Sequence, residues 1–147
     1  MHTHTPFTSR AGVTLVELCL VLALVGILAS IATRQIRRYL DRAAVRAAVA
    51  EAATVVLRAR DDAMAQRTPV SVYIDTAGAA LELSARGVVL SRAALGHAHG
   101  VALSTTRDSL TYDVRGLGYG AANLTMVARR GAAAESLVVS RLGRVRW

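Results

Sequence analysis

Apolar positions fall along this chain in three successive patterns. Residues 13 to 33 are almost continuously apolar, and the one charged side chain inside the run is Glu17. From Arg34 to about Gln66 the apolar positions thin to a stripe: Val45, Val49, Ala52, Val56, Ala59 and Ala63 recur at alternating spacings of four and three. That spacing lines one face of an α-helix. Alanine-rich composition supports the helix, and Thr68-Pro69 supplies a stop. The two patterns join without a break, so they predict one helix of over fifty residues. As a helix, the 21 apolar residues would be about 31 Å long, close to the roughly 30 Å hydrocarbon thickness of a bilayer.

After Pro69 the period changes to two. Val70, Val72 and Ile74 alternate with polar neighbours, as do Leu81 and Leu83, then Leu110, Tyr112 and Val114, then Leu124, Met126 and Ala128. Val88–Leu90 and Leu137–Val139 are short continuous apolar runs, which predict more fully buried strands. Glycine-containing turns separate these runs, so the last 80 residues predict six to eight short strands. A sheet that small needs a cover, and the helix stripe provides one. The expected fold is α+β: a long N-terminal helix, membrane-spanning at first and amphipathic beyond, packed on a C-terminal antiparallel β-sandwich-like head. The expected division is a leader at 1–12, a transmembrane helix at 13–33, its amphipathic continuation at 34–67 and the head at 68–147.

Composition adjusts this picture in two ways. All 18 basic residues are arginine against 10 acidic ones, for a formal charge of +8. Such an excess favours polyanions, whether phospholipid head groups or nucleic acid, although an alanine- and arginine-rich coding bias is an equally good account. The lone Cys19 lies in the apolar run, so no intrachain disulfide can form.

An apolar run near an N-terminus is ordinarily a cleaved secretory signal, here with Ser30-Ile31-Ala32 as a small-x-small site, or a plain signal anchor. Neither explains Glu17, because a carboxylate in hydrocarbon is costly and marks a function. Gly12-Val13-Thr14-Leu15-Val16-Glu17 resembles the class III signal of type IV pilins and type II secretion pseudopilins. That resemblance implies a prepilin peptidase cutting between Gly12 and Val13, usually with methylation of the new N-terminus. It makes Glu17 the fifth residue of the mature chain, the acidic position used in filament assembly. The expected setting is a bacterial inner membrane, spanned once, with the head in the periplasm and other pilins or pseudopilins as partners. Val13 stands where phenylalanine is usual, and Arg34 where many pilins carry a kinking proline. Arg34, Arg37, Arg38, Arg42 and Arg46 follow the span while Arg10 alone precedes it, a distribution that runs against the positive-inside rule.

The tail narrows the resemblance. Tyr112–Gly118, Asn123–Met126 and Leu137–Arg146 are similar to the end of the GspH/FimT minor pseudopilins, whose branches serve type II secretion and type IV pili. This implies a subunit supporting protein secretion. The alternative is a pilus subunit that binds DNA in natural transformation, since Gly143-Arg144-Val145-Arg146 fits the Gly-Arg-x-Arg ending associated with it. On a strand Arg144 and Arg146 would lie roughly 6.6 Å apart on one side, each able to fork onto phosphate oxygens, with Trp147 as a stacking surface. A basic last strand is also often just a solvated edge.

Other candidates are weak. Gly116-x-Gly118-x-Gly120 lacks the lysine and hydroxyl residue of a phosphate loop and reads as an inter-strand turn. His97-x-His99, flanked by Gly96 and Gly100, reads as a solvent loop with no third metal ligand. His2 and His4 belong to the leader. No nucleophile, base and acid converge in the pattern, so an enzyme, a cofactor or a small-molecule substrate is not expected.

Overall fold

The computed structural model describes residues 12–119 and 123–147; the leader, apart from Gly12, and Gly120 lie outside the described residues. The chain divides into two compact units, one ending at Ile36 and the other spanning Arg37–Trp147. A single helix, α1 (Leu15–Gln66, 52 residues), contributes to both and continues through Arg34. Its end is marked by Arg67 in the left-handed region (φ 49°), just before Thr68-Pro69.

In the first unit the apolar part of α1 is uncovered: its most apolar 18-residue window has mean hydropathy 2.6 and none of it is buried. In water such a surface is unstable, so the helix is long and apolar enough to cross a membrane.

In the second unit the stripe is buried as its spacing predicts. Val45, Val49, Ala52, Val56, Ala59 and Ala63 are in the core, joined by Ala48 and Ala53. Most of these side chains are single methyl groups, so the larger payload comes from the strands. Among the described residues, eight strands form two antiparallel sheets. The first has the order β3-β2-β1-β5, from β1 (Val70–Asp75), β2 (Ala80–Ala85), β3 (Val88–Ala93) and β5 (Ser109–Tyr112). The second has the order β4-β6-β7-β8, from β4 (Ala102–Thr105), β6 (Leu124–Arg130), β7 (Ala133–Val139) and β8 (Val145–Arg146). Val70, Val72, Leu81, Leu83 and Tyr112 from the first sheet share one apolar cluster with Leu124, Met126, Leu137 and Val139 from the second. The alternation read from the sequence is therefore the inward and outward alternation of two sheets around the helix.

Three local expectations are corrected. Val88–Leu90 is not a buried strand: the three residues are 61, 57 and 44% exposed. They lie on β3, the edge of the first sheet, paired only with β2 through a register shift at Leu83/Ser84. Leu137–Val139 alternates instead of being buried throughout, because Val138 faces outward at 41% exposure. The third pattern stops at Tyr112, so Val114 lies exposed in the following turn.

The His97–His99 loop is replaced by a short helix, α2 (Leu95–His99), closed by Gly100 at φ 64° with its N–H donating to the Gly96 carbonyl at 2.9 Å. The fold, not a ligand, uses this histidine: His99 Nε2 lies 2.7 Å from Glu51 Oε2 on α1. No group of three or more His, Cys, Asp or Glu side chains able to hold a metal occurs among the described residues.

Candidate assembly helix and basic tail

The N-terminal site is built by the start of α1. Thr14 caps the helix: its hydroxyl oxygen accepts the Glu17 backbone N–H at 3.2 Å, and its carbonyl accepts the Leu18 N–H at 3.1 Å. Thr14-x-x-Glu17 is thus also a capping-box pattern, which gives the glutamate a second, local explanation. Only the backbone half of that box is formed, however. The carboxylate makes no hydrogen bond or ion pair among the described residues. It sits in the first turn, where the helix dipole favours a negative charge, surrounded by exposed Val13, Leu15, Val16, Leu18 and Leu20. Gly12 and Val13 precede the helix and are exposed. A carboxylate without a partner on an uncovered apolar helix can accept a cation from outside the subunit.

The C-terminal site is built by two turns of the same design. In the first, the Gly116 N–H donates to the Asp113 carbonyl at 2.9 Å and the Asp113 N–H to the Leu117 carbonyl at 2.8 Å. In the second, the Gly143 N–H donates to the Ser140 carbonyl at 2.9 Å and the Ser140 N–H to the Arg144 carbonyl at 2.9 Å. Each turn ends on a glycine in the left-handed region, Gly116 at φ 72° and Gly143 at φ 74°, a conformation that disfavours any side chain. Each opens on a residue whose side chain accepts a backbone N–H of its own turn. Asp113 Oδ1 takes those of Arg115 and Leu117, both at 2.9 Å, and Ser140 Oγ takes that of Arg144 at 3.2 Å. The Leu117 N–H is the main reason the Asp113 carboxyl is held below its usual range, and the Arg115 backbone and guanidinium add to it.

The turns meet back to back. A Cβ on Gly143 would lie 3.1 Å from the Gly116 carbonyl oxygen and 3.2 Å from Tyr112 Cε1. Arg60 on α1 ties them to the helix, its Nε donating to that same carbonyl at 3.0 Å. Beneath them, burial pushes the Tyr112 phenol up to about 12, partly opposed by the nearby Arg60 charge. Sequence reasoning missed this assembly. Its signal was present as two similar stretches, Asp113-Val-Arg-Gly116-Leu and Ser140-Arg-Leu-Gly143-Arg.

The tail arginines stand as follows. Arg144 lies in the second turn and only Arg146 lies on β8, yet both line one open groove of about 420 Å³ with Arg141, Asn123 and Val138. All three guanidiniums are without a carboxylate partner among the described residues, and Trp147 is exposed beside them. Gly116 and Gly118 serve the turn; Gly118 donates its N–H to the Arg141 carbonyl at 3.2 Å. Glu17 belongs to the first unit and the tail arginines to the second.

A long N-terminal apolar helix followed by two antiparallel sheets is a pilin-type α+β fold. The sequence matches no protein-family model and no curated protein. Among solved structures it is similar to the type IV minor pilin FimU of Pseudomonas aeruginosa PAO1. The TM-score is 0.63 at 17% identity, over 74% of this chain and 90% of that one. A second crystal form of FimU gives 0.58 at 17% identity, over 69% and 90%. The minor pseudopilin EpsH from the type 2 secretion system of Vibrio cholerae gives 0.55 at 13% identity, over 69% and 94%. The chain thus has the fold shared by minor pilin and pseudopilin subunits.

Proposed function

We propose that this chain is a minor pseudopilin, a non-enzymatic subunit of a type II secretion filament that also resembles minor pilins. It is anchored in a bacterial inner membrane by residues 13–33 with its head in the periplasm. Prepilin peptidase cuts between Gly12 and Val13, and the mature subunit joins other pseudopilins through its N-terminal helix. The observation that carries this reading is the uncovered apolar helix with one unpartnered carboxylate, Glu17, in its first turn, on a pilin-type fold. The α-amino group released at Val13 and the Glu17 carboxylate are both costly to bury alone. When helices stack, each lowers the other's desolvation penalty.

The test is intact mass of the protein purified from membranes. The expected product begins at Val13 and keeps 135 of the 147 residues, the 12-residue leader being lost. A product beginning at Thr33 instead would replace the filament reading by a secretory one.

The acid-free groove at the tail favours a second reading, a pilus subunit that binds DNA through Arg144 and Arg146. Binding would then be dominated by phosphates, indifferent to sequence and steeply salt-dependent. In that case Arg144→Gln with Arg146→Gln lowers the salt slope by about two units, close to one per phosphate contact. The check is titration of the full-length chain in detergent with duplex DNA at several salt concentrations. Equal binding by wild type and variant would remove the motif from the account. The secretion reading is preferred because packing already explains Gly143, which leaves only Arg144 and Arg146 of the Gly-Arg-x-Arg motif to argue for DNA.

A further inference from the structure

Beyond Thr33 the chain is unusually basic on the side of the head, and the structure shows what surrounds these charges. A notch of about 270 Å³ is lined by Arg38, Asp41 and Arg42 of α1, by Ala132 in the β6–β7 turn and by Ala133 at the start of β7. A second hollow of about 280 Å³ continues along the helix past Arg42 and Arg46 to Glu135. The β6–β7 turn makes the wall. Gly131 sits at φ 54°, and a Cβ there would meet Asp41 Oδ2 at 2.6 Å, so the turn lies directly against the Asp41 carboxylate. Ala132 and Ala133 then leave the notch open.

The acids of this region are already engaged. Asp41 Oδ1 lies 3.1 Å from Arg130 Nε, and Glu135 Oε2 lies 3.8 Å from Arg46 Nε. Arg37, Arg38 and Arg42 are exposed and pair with no carboxylate among the described residues. The notch therefore carries net positive charge at its mouth, with two planar guanidiniums that can each fork onto phosphate oxygens.

Chain connectivity restricts what can reach it. Arg38 and Arg42, which line the notch, follow Thr33 by five and nine residues. Along α1 that is about 8 Å and about 14 Å. The interfacial layer outside the hydrocarbon is itself about 5 to 8 Å deep on each side. If residues 13–33 span the bilayer, the Arg38 backbone is held at the level of the lipid phosphates, and the long Arg42 side chain, starting a few Å further out, reaches back toward it.

We infer that the Arg38–Arg42 notch is a lipid site: it takes the phosphate of an anionic phospholipid in the leaflet next to the head, with Arg37 adding to the local attraction. The inference rests on the anchored reading above. It gives the basic collar a role in seating the subunit, and Asp41, held by Arg130, sets the wall without cancelling the charge.

The probe is phosphatidylglycerol. The full-length chain is reconstituted in nanodiscs of phosphatidylethanolamine with a minority of phosphatidylglycerol, released, and its retained lipids identified by native mass spectrometry. Phosphatidylglycerol is expected to be retained in preference, and Arg38→Gln with Arg42→Gln to cut that retention on the order of tenfold. Arg67→Gln with Arg107→Gln removes the same charge from other exposed positions and should leave retention unchanged. Equal loss in both variants would mean diffuse attraction and overturn the site. Inorganic phosphate retained at the notch in discs free of phosphatidylglycerol would replace the lipid by a soluble anion. Entry of the wild-type chain into discs without selective retention overturns this inference alone. Failure to enter at all overturns the anchored reading, and the lipid site with it.

Discussion

Glu17→Ala is expected to leave leader cleavage and membrane insertion intact while most co-assembly with partner subunits is lost. The substitution is locally mild. The cap uses the Glu17 backbone N–H on the Thr14 hydroxyl, which alanine retains, and alanine is the best helix former. The carboxylate has no partner among the described residues, so the isolated fold loses little beyond the favourable placement of a negative charge at the helix N-terminus. The assembled state differs. On the proposed reading a stacked helix buries the Val13 ammonium, and deleting the anion that would face it leaves an uncompensated charge at a cost of about 3 kcal/mol or more. That corresponds to roughly 100-fold in association. Glu17→Gln keeps the shape and polarity without the charge, and should resemble alanine more than wild type. The measurement is site-specific crosslinking to partner subunits in membranes, with cleavage followed by mass. Undiminished crosslinking by both variants would show that Glu17 is only a helix-capping residue.

Gly143→Ala is expected to cost the head about 2–3 kcal/mol, because two penalties coincide at one atom. The first is backbone: φ 74° is unfavourable for any L side chain by about 1–2 kcal/mol. The second is contact. The new Cβ meets the Gly116 carbonyl oxygen at 3.1 Å and Arg60 Nε at 3.3 Å, and the carbonyl belongs to a turn already fixed by Asp113. Gly87→Ala separates the two. Gly87 has φ 77° but nothing within 4 Å of a Cβ, so it should show only the backbone penalty of about 1 kcal/mol. For a domain of this size the Gly143 variant should melt roughly 10 °C below wild type and the Gly87 variant about half as far. Thermal unfolding of the full-length chain in detergent, followed by circular dichroism, measures both. Equal losses would mean that the two turns do not depend on each other. Neither variant removes a tail arginine, so the pair also tests whether Gly143 in the Gly-Arg-x-Arg ending serves the fold.

What the sequence determined by itself was whatever repeats with a period. The stripe from Val45 to Ala63 is buried because a helix returns to the same face every three to four residues. Val70, Val72 and Ile74 point inward because a strand alternates. The apolar run and its single glutamate were equally plain, since hydrocarbon length and the cost of a buried charge are local properties. Tertiary structure decided everything that depends on who the neighbour is. Val88–Leu90 reads like a core strand and lies exposed because the first sheet ends there, and strand order is not written in a strand's own pattern. His99 meets Glu51 across 48 positions of sequence, Arg60 meets Gly116 across 56, and Asp41 meets the turn at Gly131. Each of these contacts joins the long helix to a turn or short helix of the head. Their partners become adjacent only after the sheets close over α1, and that closure is driven by apolar burial, which is blind to which polar groups it brings together.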